Sequence, residues 1–287
     1  NLTFEHYPED AIGMEGNVQE PLSQYTKAPV QRCWVHNNTF LPGYCGDPAD
    51  SDKAEGDGSC DFKRGEYFTL SYNYFTDCHK TNLIGASTSN LQYNVTMHHN
   101  WWNNCGSRVP YVRNSNVHFY NNYVTTADDG SNDYVHDADG TSFIFSESNY
   151  YFNCKQITRG GIVKSWANTL YGCWGNSGTF KATETRNEAV SNSCKYRDGK
   201  DLSHFECDPT MFYYNTQTGE SDCLLDDSIT ARLRVMQFAG VAGWYENNPK
   251  KQSSMPFKAN PIRNIPTTAV PVPDSGELAI KLSLIHI

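Results

Sequence analysis

Apolar and polar positions alternate along the middle of the chain in short runs, and each run closes on an asparagine followed by aromatic residues. Five segments share this phrase: 33–40, 68–75, 95–102, 117–124 and 143–151. Their anchor asparagines are Asn38, Asn73, Asn100, Asn122 and Asn149, which by subtraction lie 35, 27, 22 and 27 residues apart. Such unequal spacing suits one supersecondary unit that recurs with loops of variable length inserted. Each unit reads as strand, turn, strand. A strand that alternates for so few residues cannot bury its inner face alone, so successive copies must stack into a parallel coil. The predicted fold is therefore all-β, a single-stranded parallel β-helix. A β-sandwich would show turn signals at shorter intervals, without a repeated asparagine-aromatic phrase.

The anchor asparagines suit a turn that needs left-handed backbone angles, and stacked copies can pass amide hydrogen bonds from coil to coil. Cys78, Cys105 and Cys154 each follow their asparagine by five residues, with Ala127 in the equivalent slot. A column of small free thiols in the core is expected there. Beyond about residue 160 the phrase decays. Ile229, Leu233, Met236 and Phe238 have loosely helical spacing, which predicts a short helix over 228–242 lying on the coil. Six of the thirteen prolines fall between Pro249 and Pro273, so 246–281 reads as an extended peripheral tail after a β-helix over 1–245. The last six residues, 282–287, read as a translated sequencing-library adapter and are left out of the fold argument.

Composition narrows the function classes. In 287 residues, 23 basic side chains face 32 acidic ones, giving a net charge of −9 and a mean hydropathy of −0.64. No apolar run is long enough to span a bilayer, so no membrane partner is expected. The acidic total without a basic stretch argues against nucleic acid. Ten cysteines, none in a CxxC pair, suit a secreted protein better than a zinc protein, and Cys194, Cys207 and Cys223 are spaced for a loop-closing bridge. His98 and His99 occupy adjacent strand positions, which predicts opposite faces and structural hydrogen bonds rather than a metal site.

Candidate chemistry gathers between the repeats. Asp57 and Asp61 flank a glycine-containing bend, with Asp10 able to supply a third carboxylate one coil earlier. Oxygen ligands of this kind suit calcium, although the spacing is not that of an EF-hand. Lys63, Lys80, Arg108 and Arg113 recur about one coil apart, so stacking places them on one wall. Carboxylates holding a cation beside such a wall would form a groove for an acidic, oxygen-rich polymer despite the negative total.

At these residues the chain resembles the pectate lyase/pectin lyase superfamily. The motifs occur in the family's order: Asp57-Gly-x-x-Asp61-x-Lys63, His79-Lys80-x-x-Leu-Ile-Gly85, Val95-Thr-x-His-His-Asn-Trp101, and Arg108-x-Pro-x-x-Arg113 leading to Val117-His-x-Tyr-Asn-Asn122. The likeness runs from about residue 1 to 126, is weaker to Arg159, and is thin thereafter. It implies a right-handed parallel β-helix whose cleft binds polygalacturonate through Ca²⁺ and cleaves it by β-elimination. Carried over by position, Asp10, Asp57 and Asp61 would be calcium ligands. Arg108 would take the C5 proton with Lys80 and Arg113 beside it, Lys63 would hold a substrate carboxylate, and Arg159 would serve a neighbouring subsite.

A guanidinium normally stays protonated, so an arginine base implies an alkaline optimum. The resemblance also implies a monomeric, secreted enzyme, with a cap and first coils upstream of residue 1. One departure stands out: the family's usual Trp-Ile-Asp-His is here Trp34-Val-His36-Asn37, away from the presumed metal. Two alternatives to a Ca²⁺-dependent pectate lyase are a metal-free pectin lyase acting on methylated polymer, which would not need Asp10, Asp57 and Asp61, and a non-catalytic polysaccharide-binding β-helix, which would not need Arg108.

Overall fold

The structure, a computed structural model, describes residues 1–16, 30–44, 54, 56–88, 90, 92–127, 132–139, 142–174, 214–215, 220–221 and 226–241. The extended tail at 246–281, the adapter-like residues 282–287 and the cysteines at 194, 207 and 223 lie outside the described residues.

Successive coils lay strands on three faces, and the faces are parallel throughout. On the first, Thr3–Phe4, Thr39–Phe40, Tyr74–Thr76, Trp101–Asn103, Tyr123–Thr125, Tyr150–Phe152 and Thr169–Tyr171 pair in chain order. On the second, Gln31–His36, the latter half of Cys60–Ser71, Gln92–His98, Ser115–Tyr120, Phe143–Glu147 and Ile162–Trp166 do the same. The third carries Ile12–Glu15, the first half of Cys60–Ser71, Leu83–Ile84, Tyr111–Arg113, His136–Asp139 and Thr158–Gly160. Cys60–Ser71 thus turns a corner within one strand, at Gly65. Its φ of 139° is open to glycine, and a Cβ there would collide with the Val30 carbonyl. The result is a right-handed parallel β-helix.

Inward residues repeat in register. Phe62, Ile84, Val112 and Ala138 line one face from within, and Phe68, Val95, Val117, Ile144 and Val163 another. Aromatic rings stack down the inside of the first face, Phe40 on Phe75 at 4.5 Å and Phe75 on Trp102 at 5.3 Å between centroids. Stacked rings gain offset-packing energy beyond their buried area.

The asparagines form the expected ladder. From Asn38 to Asn149 each anchor donates both its backbone N–H and its side-chain amide to the Oδ1 of the next, at 2.8–3.1 Å. Asn149 continues the ladder to Asn168, a further rung in a coil past the point where the phrase decays. The anchor itself does not adopt the left-handed angle. That angle falls on the residue before it: Asn37, Tyr72, His99, Asn121, Ser148 and Ala167 all have φ of 51–53°. The turn is held by the anchor's amide, so the strained position tolerates residues as different as Tyr and Ala. Asn122→Ala removes an acceptor from Asn100 and donors to Met97 and Asn149, all buried. A loss of about 2–4 kcal/mol is expected in equilibrium urea unfolding.

Cys78, Cys105 and Cys154 are buried free thiols, and Cys173 adds a partly buried one at the same offset from Asn168. The two histidines depart from the expectation of opposite faces. Because His99 sits at the left-handed turn, its ring swings back to His98, and the two Nδ1 atoms lie 2.9 Å apart. His99 Nε2 also meets Asp226 Oδ2 at 3.1 Å, so the pair is structural, as expected.

The helix forms over Ser228–Phe238 and lies on the coil, capped by Asp227, whose side chain accepts from the N–H groups of Ile229 and Thr230. Its docked face differs from the apolar spacing. Ala231, Arg232, Val235 and Met236 are buried, while Ile229 and Leu233 are exposed. The surface beneath consists of Tyr74, Trp101, Tyr123 and Tyr150, and Arg232 stacks on Tyr150 with its guanidinium 4.6 Å from the ring centroid. An aromatic floor takes a cation as readily as an aliphatic chain.

Candidate active site

The outer surface of the third face carries the sequence-predicted residues. Between the inward Phe62, Ile84, Val112 and Ala138, the alternate positions point outward: Asp61 and Lys63, then Leu83 and Gly85, Tyr111 and Arg113, and Asp137 and Asp139. Arg159 follows from Thr158–Gly160. Lys80 and Arg108 enter from the turns just before this face, where Lys80 forms a parallel bridge with Ser107 on the next coil.

Arg108 has a left-handed φ of 63°. Its carbonyl accepts from the Asn82 N–H at 2.8 Å and from the Thr81 hydroxyl, so the backbone is pinned by the preceding coil. Its side chain remains about one-fifth exposed and faces out. A non-glycine residue held in this region stores strain that the surrounding structure must sustain.

Three groups of charge form along the wall. Asp10 Oδ2 is 2.6 Å from Lys63 Nζ, and Asp10 Oδ1 accepts from the Gly58 N–H at 3.2 Å. On the other side of Gly58 lies the Asp61 carboxyl, so close that a Cβ at residue 58 would stand 2.5 Å from Asp61 Oδ1. Asp61 is buried and accepts from the Leu83 N–H at 2.9 Å. Burial first, and the charge of Asp10 second, push its pKa up to about 8. Burial works against the charge on Lys63, but the bond to Asp10 outweighs it and holds the ammonium above its ordinary range.

Asp57 belongs to the second group, with its Oδ1 3.7 Å from Lys80 Nζ and 4.0 Å from Arg108 Nη1. The third surrounds Tyr111. Arg113 lies over that ring at 4.5 Å, donates to the Ala86 carbonyl at 2.5 Å and comes within 3.9 Å of Asp139. Arg159 donates twice to Asp137, at 2.9 and 2.5 Å, and stacks on Tyr134 at 3.9 Å.

Asp10, Asp57 and Asp61 therefore reach one loop, centred on Gly58, without pointing at one spot. Among the described residues no three His, Cys, Asp or Glu side chains are grouped to hold a metal. The donors nevertheless fit a hard cation in kind: all are carboxylate oxygens, and two of them crowd each other at a buried position where positive charge would relieve both. Asp137, Asp139, Tyr111 and Tyr134 were not singled out from the sequence. A signal existed, since acids two apart in His136-Asp-Ala-Asp139 share one face of a strand.

A family model described as pectate lyase matches residues 10–228. A pectate trisaccharide-lyase of Bacillus licheniformis is 34% identical over 168 residues, which cover 58% of this chain and 41% of that protein. Pectate lyase A of Emericella nidulans is 43% identical over 89 residues, covering 29% of this chain and 27% of its own length. The chain thus spans less than half of these relatives. Among solved structures, a pectate lyase from Bacillus sp. N165 in complex with trigalacturonate superposes with a TM-score of 0.51 at 24% identity, covering 74% of this chain and 60% of that one. Pectate lyase II of Xanthomonas campestris gives 0.51 at 21%, covering 81% and 64%. At these identities the two structures speak for the fold. The family model covers well over half of the sequence and takes in Asp10, Arg108 and the ladder between them, and on that ground the chain belongs to the pectate lyase family.

Proposed function

We propose that the protein is a secreted, Ca²⁺-dependent pectate lyase that cleaves polygalacturonate by β-elimination, leaving 4,5-unsaturated oligogalacturonides. The observation that carries this reading is the placement of Arg108: backbone pinned, side chain outward, with Lys80 beside it on a shared partner, Asp57. A hydrolase would instead need two carboxyl groups flanking one bond.

The chemical obstacle is a proton next to a carboxylate, because its removal places a second negative charge beside the first. The wall answers with cations fixed in advance, which cost no reorganisation as charge develops. Lys63 and Arg113 would take substrate carboxylates, exchanging Asp10 and Asp139 for the polymer. Arg108, unprotonated for the step, would accept the C5 proton, and Lys80 would stabilise the enolate-like charge next to it; that electron pair then forms the C4–C5 double bond as the C4–O bond breaks, and the leaving glycosidic oxygen takes a proton from water. Asp57 holds both cationic side chains in place until substrate arrives. Asp10 and Asp61 would hold calcium, joined by Asp57 once it leaves Lys80 and Arg108. Bound there, the metal would neutralise a substrate carboxylate and make the neighbouring C–H bond more acidic.

Incubation with polygalacturonate should raise the ultraviolet absorbance of the unsaturated product, and chelation should abolish the rise until Ca²⁺ is restored. Activity that persists undiminished in chelator would refute the metal-dependent reading. Product without an absorbance rise would refute elimination itself.

A further inference from the structure

The residues five places after successive ladder asparagines form a column in the turn that follows the first face: Cys78, Cys105, Ala127, Cys154 and Cys173. Alanine divides the column into two pairs of thiols, each pair on adjacent coils. Around the second pair the register is continuous. Tyr150–Phe152 and Thr169–Tyr171 pair residue for residue, and beyond them the Asn153 N–H donates to the Tyr171 carbonyl at 2.9 Å and the Trp174 N–H to the Cys154 carbonyl at 3.0 Å. Cys154 and Cys173 are therefore stacked at about the 4.8 Å spacing of neighbouring strands, inside the roughly 4.4–6.8 Å between Cα atoms that a disulfide spans.

Access separates the two pairs. Cys78 and Cys105 are both buried, and the Tyr7 hydroxyl donates to Cys78 Sγ at 3.6 Å. Cys154 is buried too, but Cys173 is partly exposed, between Gly172, which has no side chain to cover it, and Trp174, which is itself exposed. The Cys154 thiol faces the Cys173 sulfur closely enough to stabilise its thiolate. That interaction outweighs burial and lowers the Cys173 thiol from its ordinary range, while burial, and then the same interaction, raise Cys154 well above it. An accessible thiolate beside a buried thiol is the arrangement that takes up a mixed disulfide and then resolves it.

We propose that Cys154 and Cys173 are a thiol–disulfide exchange site, at which Cys173 attacks a small-molecule disulfide and Cys154 resolves the product into a bond between the two coils. The Cys173 thiolate attacks one sulfur of RS–SR, forming Cys173–S–S–R and releasing RS⁻. Cys154 passes its proton to that RS⁻ and attacks the Cys173 sulfur, so the bond from Cys173 to the small molecule breaks and a second RS⁻ leaves, to be protonated by water. Two protein thiols are oxidised and one small disulfide is reduced to two thiols. Stacked side chains stand slightly wider apart than the roughly 3.5–4.5 Å between Cβ atoms of a relaxed disulfide, so the bond draws the coils together and stays exchangeable. None of this depends on the lyase reading.

The test treats the reduced full chain, freed of reductant, with glutathione disulfide in native buffer and maps the peptides by mass. The parent should lose two hydrogens in a peptide pair joining Cys154 to Cys173, while Cys78 and Cys105 stay reduced. Cys154→Ala should instead hold one glutathione on Cys173, and Ala127 shows that the column accepts alanine. Cys173→Ser should hold none on Cys154. With N-ethylmaleimide, Cys173 of the parent should react about tenfold faster than Cys33, which is partly buried too but raised by that burial. Cys154→Ala should remove most of that advantage. Glutathione left on Cys173 in the parent, a bond from Cys173 to Cys194, Cys207 or Cys223, or a Cys173 no faster than Cys33 would each overturn the pair.

Discussion

Arg108→Ala should lower kcat on polygalacturonate by about a thousandfold, the scale on which a positioned base contributes, with little change in KM. The split follows from where the side chain sits. Its neighbour Lys80 is almost buried and its backbone is fixed by hydrogen bonds from Thr81 and Asn82, so truncation leaves the wall standing. What is lost is a group that acts on the proton, not one that holds the polymer. Lysine should rescue only partly, because its ammonium lacks the planar reach that brings Arg108 Nη1 toward Asp57.

The parent should also gain activity as pH rises into the alkaline range, since a guanidinium serves as a base only in its scarce unprotonated form. In Arg108→Ala that rise should disappear. A variant that keeps more than a tenth of the parent kcat, or an optimum in acid, would remove Arg108 from the proton transfer. Circular dichroism and urea unfolding of the variant guard against misfolding as the cause.

How much of this was legible before the coordinates depends on the length of each element. The second face was readable because its strands run five to seven residues and alternate cleanly into the asparagine phrase. The coil around Asn168 escaped because Thr169 and Leu170 stand where earlier coils place aromatics, although the amide geometry is the same. The third face, which carries the candidate site, is built after Cys60–Ser71 from strands of two to four residues. Elements so short have no measurable period, and only the order of Asp57, Lys80, Arg108 and Arg113 gave them away. The helix was located correctly but turned, because an aromatic floor accepts Arg232 where an apolar pattern demands Ile or Leu. The direction of Asp57 was beyond reach for a different reason. It is set by which cations lie nearest in space, and Lys80 and Arg108 come from two other coils.

The buried carboxyl of Asp61 should make the metal-free protein lose stability as pH rises, and Ca²⁺ should remove that loss. The sign follows from proton counting. Asp61 has a folded pKa of about 8 against an ordinary 3.8, so between those values the native state binds a proton that the unfolded chain has released. Stability from this group is complete below about pH 4 and declines toward pH 8, by roughly 1.4 kcal/mol per pH unit. Histidines act oppositely over part of that range. Burial lowers His98 and His99, and takes His136 down to about 3, so below their ordinary 6.5 the unfolded chain binds protons that the native rings do not, and these rings oppose the folded state there. Above pH 6.5 both states carry them neutral and they drop out. In the window from 6.5 to 8 the carboxyl is opposed only by the N-terminal amine, which burial lowers, and by the hydrogen-bonded Cys78 and Cys173 thiols, which are lowered too, so the expected loss is at most about 2 kcal/mol and the part due to Asp61 is what Asp61→Asn removes. Urea midpoints measured across that window in chelator should fall, and Asp61→Asn should flatten them. Millimolar Ca²⁺ should flatten them too, since a dication beside Asp10 and Asp61 favours the ionised form in the native state. A slope indifferent to Ca²⁺ but abolished by Asp61→Asn would mean that the carboxyl is buried as described and that the metal lies elsewhere.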